Sequence, residues 1–276
     1  MKKILVPTDF SPNSKTGIKF AIQFAKQIKA KLVFLYVADV IKPTSWSEER
    51  FKTYSKEMAQ KHDVTIKKFV SQVCNEKQIL KDAEYKIELS YNTPKSIMET
   101  AQNKKVSFIC MSTRGAGKIK KLWGTNASEV ITNSPIPVIV IPQRYTVAPI
   151  KSIFFACDFA ALNKEMKIVQ DLANSVKSKL KVFHYDYLLH VPENLKKLDK
   201  QADKFRAKST SFVIKRKEME FSLAEHLAGD IKKDKPSLVV LFTKQNRNWF
   251  DRLISPSEAS EMSFHLKVPL LTYKKI

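Results

Sequence analysis

The chain repeats its own plan, and that repeat restricts its fold more than any other feature of its 276 residues. Residues 2–37 read KKILVPTDFSPNSKTGIKFAIQFAKQIKAKLVFLYV, and residues 151–186 read KSIFFACDFAALNKEMKIVQDLANSVKSKLKVFHYD. The Asp-Phe pair recurs (Asp9-Phe10, Asp158-Phe159), as does Lys-Leu ahead of the second apolar run (Lys31-Leu32, Lys179-Leu180). Further on, VSFICM (106–111) is matched by SLVVLF (237–242), and the Pro-centred run 136–140 by 268–271. Solenoid repeats span roughly 20–50 residues, far less than this period. The economical account is two copies of one domain, residues 1–146 and 147–276, joined near 143–149.

Within a copy, strand-sized apolar runs alternate with helical spacing. Residues 4–8 read as a strand, and Ser11-Pro12 supplies an N-cap and a first-turn proline. Ile18, Ala21, Ile22, Ala25 and Ile28 then share one helical face. Residues 32–37 form the next strand, 48–75 a long helix, 85–91 an alternating strand, and Thr93-Pro94 opens a helix ending near Lys105. A buried strand at 106–111, a helix at 125–132 and a strand at 138–141 complete the copy. The order implies an α/β fold: two tandem doubly wound domains, each a mostly parallel five-stranded sheet with helices on both faces. Ligands of such sheets sit beyond the carboxyl ends of the strands, which gathers the loops after Thr8, Val37 and Met111 around one crevice.

Charge narrows the partners less than its size suggests. The net charge is +22, a field that attracts nucleotides, nucleic acid and acidic membrane. Residues 1–146 hold 25 Lys and Arg against 12 Asp and Glu, and the remainder 24 against 15. The cations are spread along both halves, without the interleaved aromatics that a single-strand platform needs. A lysine-rich solvated surface accounts for this better than nucleic-acid binding. No apolar run approaches a membrane span, and the N-terminus does not read as a signal peptide. Three cysteines (Cys74, Cys110, Cys157) cannot build a disulfide framework, so a cytoplasmic setting is expected.

The segment richest in chemistry is Ser112-Thr113-Arg114-Gly115-Ala116-Gly117-Lys118, followed by Gly124-Thr125-Asn126. It leaves a strand and enters a helix. Glycines there let backbone N–H groups approach phosphate oxygens, the helix N-terminus adds partial positive charge, and Arg114 and Lys118 add cations. The alternative is a tight strand-to-helix turn bearing surface lysines. A Walker loop is excluded, because Ser112 and Ile119 stand where it needs Gly and Ser or Thr, and the dinucleotide fingerprint lacks its third glycine at Lys120.

Together, ILVPTDFS, LVFLYV, the glycine loop and the ending NSPIPVIVIP resemble the universal stress protein family, and two copies in one chain resemble its tandem form. The resemblance implies the adenine nucleotide alpha hydrolase-like arrangement and a stress-response role. The family's nucleotide loop runs G-x-x-G, nine residues, then G-[ST]. Here Ser112 replaces the first glycine, Gly115 and the Gly124-Thr125 pair match, and the spacer has eight residues. The implied ligand is ATP or AMP, held by Pro7, Thr8, Asp9, Val37, Met111, Ser112, Arg114, Gly115, Gly117, Gly124, Thr125 and Asn126. Asp9 would face the ribose or adenine, and the Val37 backbone the adenine edge. Mg²⁺ has no acidic candidate besides Asp9, and at most slow ATP hydrolysis is expected. The resemblance also implies pairing of the two copies as an internal pseudo-dimer, with homodimers of such chains as a further form.

The second copy departs from this pattern. After its strand, Thr243-Lys244-Gln245-Asn246-Arg247-Asn248-Trp249-Phe250 has no glycine, and Pro256 stands where Gly-[ST] is expected. It reads as a degenerate partner in which Trp249 and Phe250 pack on the sheet edge or fill former nucleotide space. A reading that keeps the fold but drops the ligand, an interaction module, stays open. His184 reads as a packed strand residue, Cys110 as buried, and Cys157 as the thiol placed for exposure. The histidines show no metal spacing.

Overall fold

The structure is a computed structural model and describes residues 1–74, 77–113, 125–157, 159, 161–186, 192–216, 223–243 and 267–275. The chain divides into two compact units, Met1–Val147 and Ala148–Ile276.

In the first unit the elements run β1 (Lys3–Pro7), α1 (Pro12–Ile28), β2 (Lys31–Ala38), α2 (Glu48–Val73), α3 (Lys77–Asp82), β3 (Glu84–Leu89), α4 (Thr93–Asn103), β4 (Phe108–Ser112), α5 (Thr125–Asn133) and β5 (Val138–Ile141). The strands lie in the order β3-β2-β1-β4-β5, and every pair is parallel. Chain order therefore reverses direction between β1 and β4, which is where such sheets leave a crevice. α1 packs with α2 and α4 with α5. Proline shapes the central strand's end. Pro7 has no N–H to give the ladder, and Thr8 N donates the next bond, to Leu35 O at 2.9 Å.

The core is aromatic and branched. Phe20, Phe24, Phe34, Ile4, Leu5 and Ile18 are fully buried, each contributing about 1.5–3 kcal/mol by leaving water. α1 starts as its sequence dictates: the Ser11 side chain accepts from Ser14 N, and Pro12 occupies the first turn. The short helix α3 was not foreseen. Six residues are too few to display an amphipathic stripe, and its Gln78–Asp82 side-chain bond is the local support it shows.

The second unit repeats this path as β6 (Ser152–Ala156), α6 (Leu162–Val176), β7 (Lys179–Asp186), α7 (Pro192–Asp203), β8 (Thr210–Arg216), α8 (Leu223–Asp234), β9 (Leu238–Thr243) and β10 (Leu270–Lys274). Its strand order is β8-β7-β6-β9-β10, again all parallel. The duplication reaches the backbone dihedrals. Phe10, Lys29 and Lys105 adopt the left-handed conformation in the first unit, and Phe159, Lys177 and Lys235 do so at the matching places in the second.

Candidate functional site

The first crevice is built on the turn that leaves β1. Thr8 is buried; its Oγ1 accepts from Phe10 N at 3.3 Å and donates to Ser14 Oγ at 3.1 Å. Ser14 Oγ in turn donates to Ser11 O at 2.8 Å. Asp9 is exposed, and its Oδ1 accepts from Ser11 N at 3.1 Å. These bonds hold Phe10 at φ 60°. A left-handed aromatic residue costs on the order of 1–3 kcal/mol and persists where its surroundings enforce it. Here the ring lies 4.3 Å from that of Tyr36 and 5.5 Å from that of Phe69. Tyr36 also contacts His62 of α2 at 4.7 Å. Burial, and then the charges of Asp9 and Asp39, push the Tyr36 hydroxyl above its ordinary pKa.

The sites singled out in the sequence divide as follows. Pro7, Thr8 and Asp9 stand at the end of β1, Val37 near the end of β2, and Met111 and Ser112 at the end of β4. Those three strands are neighbours, so the fold brings these residues to one edge. Thr125 and Asn126 begin α5, which packs on β5. Arg114, Gly115, Gly117 and Gly124, and with them the centre of the glycine loop, lie outside the described residues.

Ser112 is the substitution that most concerns a phosphate site. Its hydroxyl donates to Asn13 O of α1 at 2.9 Å. The space it uses is left by Gly17, where an added Cβ would stand 2.7 Å from Ser112 Oγ and 3.3 Å from Ser112 N. The side chain is thus laid against α1. Gly17 did not figure among the sequence candidates. Its signal was available, since a glycine inside a helix costs about 1 kcal/mol and often marks a close approach.

In the second unit the same turn is kept with different atoms. Cys157 takes the place of Thr8: its N donates to Phe183 O at 2.8 Å, and its Sγ accepts from Phe159 N at 3.3 Å. Phe159 holds φ 63° and packs on His184 at 4.5 Å, as Phe10 packs on Tyr36. His184 Nδ1–H donates to Cys157 O at 2.8 Å, and the ring is buried. The place of Cys157 at a strand end leaves its exposure open in the sequence. Cys157 is buried, and burial pushes its thiol up to about 12, so the reactive thiolate is suppressed. Counting back from the left-handed lysines that follow α1 and α6, Lys29 and Lys177, Glu165 occupies the place of Gly17. It is 1% exposed. Its Oε2 accepts from Cys157 Sγ at 3.8 Å, and Oε1 is buried with no hydrogen-bond partner. Burial raises its pKa, against the lowering effect of the thiol bond. Asp158, Trp249 and Phe250 lie outside the described residues. Among the described residues, no cluster of His, Cys, Asp or Glu could hold a metal ion.

Comparison with known families decides the identity of the first unit. The model of the universal stress protein family matches residues 1–142. The chain belongs to the universal stress protein family. A curated universal stress protein of Methanocaldococcus jannaschii is 32% identical over 148 residues, which cover 51% of this chain and 82% of the relative. Two solved structures extend the likeness of fold over both units of this universal stress protein. One, from Archaeoglobus fulgidus DSM 4304, covers 99% of this chain and 96% of its own at 15% identity, with a TM-score of 0.66. The other, from Pseudomonas aeruginosa UCBPP-PA14, covers 99% and 93% at 13% identity, with a TM-score of 0.59. The tandem doubly wound architecture is therefore that of universal stress proteins. No helix among the described residues is long and apolar enough to cross a membrane.

Proposed function

We propose that the first unit, residues 1–146, binds an adenine nucleotide, ATP or AMP, and that occupancy acts as a regulatory signal in a cytoplasmic stress response. Family membership supports this reading, and the observation that carries it is the disposition of Ser112. The residue that departs from the glycine pattern places its hydroxyl on Asn13 O, in the space left by Gly17. The departure is thereby absorbed by α1, and the edge where Asp9, Val37 and Met111 gather keeps the expected composition. The glycine loop would grip the phosphates through its N–H groups. The residues 147–276 form a degenerate copy, in which Glu165 occupies the position of Gly17. Its buried side chain lies against Cys157 at the end of β6, where the first unit has Thr8.

Differential scanning fluorimetry with ATP, AMP and GTP tests the proposal. A saturable upward shift with the adenine nucleotides is expected, together with its loss on replacing Gly115 or Gly124 by a bulky residue. A flat melting temperature with all three at millimolar concentration would refute it. The second reading, an interaction module without nucleotide, is supported by the buried Glu165 at the position of Gly17. It predicts that flat response.

A further inference from the structure

The two units differ sharply at the amino ends of their strands, the edge opposite the nucleotide crevice. In the first unit Glu84, on β3, accepts from Lys3 Nζ at 3.0 Å and from Lys104 Nζ at 2.7 Å. One carboxylate thereby ties β1, β3 and the end of α4 together. Sheet register and the shared left-handed lysines give the counterparts. Lys3 corresponds to Ser152, Glu84 to Ser211 and Lys104 to Asp234. Two charges have become hydroxyls, and the third has changed sign. The surviving carboxylate, Asp234, instead holds Lys181 of β7, whose Nζ lies 2.9 Å from Oδ1 and 2.7 Å from Oδ2.

At the place of the missing bridge lies a groove of about 410 Å³, lined by Ser152, Lys179, Lys181, Lys208, Ser211 and Asp234 among others. Part of its wall is apolar, from Ile153, Phe154, Leu180 and Pro236. Lys208 rides on a tight turn closed by reciprocal backbone bonds between Ala207 and Thr210, at 3.4 and 2.9 Å, and Ser209 O accepts from Leu180 N at 2.8 Å. Lys181 and Asp234 neutralise each other. Lys179 and Lys208 form no ion pair with any described residue. The lining therefore presents two uncompensated ammonium groups beside Ser209, Ser211 and an apolar wall, while the Ser152 hydroxyl is taken up by Ser237, whose N donates to it at 3.1 Å.

We propose that this groove is a second, separate ligand site, taking a small molecule that carries a phosphate or pyrophosphate group. Two cations match the charge of one phosphate dianion. Hydroxyls supply further donors, and the apolar wall accommodates the ligand's carbon frame. The site does not depend on the first crevice and stands if nucleotide binding there fails.

Titration calorimetry of the full chain with inorganic pyrophosphate at physiological salt tests it. Saturable binding is expected in the wild type and in Gly124→Trp, whose change lies in the other unit. The double variant Lys179→Gln/Lys208→Gln should bind at least about tenfold more weakly, because each lost charge-assisted contact is large. Its melting temperature should be unchanged, since both lysines are exposed and unpaired. Ser211→Glu, which restores a carboxylate where Glu84 stands in the first unit, should abolish binding while keeping the fold. Equal affinity in the double variant would reduce the effect to general surface charge and overturn the site, as would absence of binding in the wild type. A phospholipid headgroup offers the same chemistry. Co-sedimentation with phosphatidic acid vesicles that is lost in Ser211→Glu would assign a lipid source, and pyrophosphate binding without co-sedimentation a soluble one. Both support the groove.

Discussion

At the scale of single residues, the first crevice depends on a pair that sequence alone kept apart. Ser112 looks like damage to a glycine motif, and Gly17 looks like a flaw in a helix. In the structure each explains the other, because the hydroxyl stands 2.7 Å from where a Gly17 Cβ would be, too close for both. Ordinarily Gly→Ala inside a helix stabilises by about 1 kcal/mol. Here a contact of 2.7 Å makes Gly17→Ala an overpacking change, with a cost of about 1–3 kcal/mol. In a Ser112→Gly background that cost should fall by about 1 kcal/mol or more, a coupling that urea unfolding of the four chains of a double-mutant cycle would measure. Additive costs would mean that the two residues do not share the space.

At the scale of elements, α1 and α6 show how one helix design serves two interiors. Both end on a left-handed lysine and both lie beside a Phe held at positive φ. α1 faces the end of β4 with Gly17, while α6 faces Cys157, at the end of β6, with the buried carboxyl of Glu165. Because burial raises the folded-state pKa of Glu165 above its unfolded value, the folded chain prefers the protonated acid. Its contribution to stability is complete below the ordinary carboxylate range and is lost as pH rises through the raised pKa. Glu165→Gln cannot ionise, so thermal denaturation from acid to neutral pH should show a smaller decline over that window than the wild type. An identical profile would place the ionisation of Glu165 elsewhere. Strands and helices were legible from the sequence because β1, α1 and β4 carry strong period and cap signals, as Ser11-Pro12 illustrates. The contents of the second crevice were not legible, because a glutamate at a helical position reads as solvated face until a fold buries it. The groove beside Lys179 and Lys208 was hidden for a related reason: it exists through the absence of a bridge whose members are far apart in sequence.

At the scale of the whole molecule, the two copies keep one framework and differ in the residues at its edges. The two units share strand order, parallel pairing and three left-handed positions, yet they diverge at both edges of the sheet. At the carboxyl edge the first unit keeps Asp9, Gly17 and the glycine loop, and the second has Glu165 and a glycine-free sequence after Thr243. The net charge of +22 attracts anions to the chain as a whole, but long-range attraction does not create a cradle of converging N–H groups. ATP titrated calorimetrically at physiological salt should therefore bind with a stoichiometry of one per chain, and Glu165→Gly should not by itself raise it to two, because the second unit still lacks the glycines. Two equivalent sites in the wild type would show that the second copy retains the capacity its sequence has shed, and the duplicated chain would then be a symmetric receptor instead of a divided one.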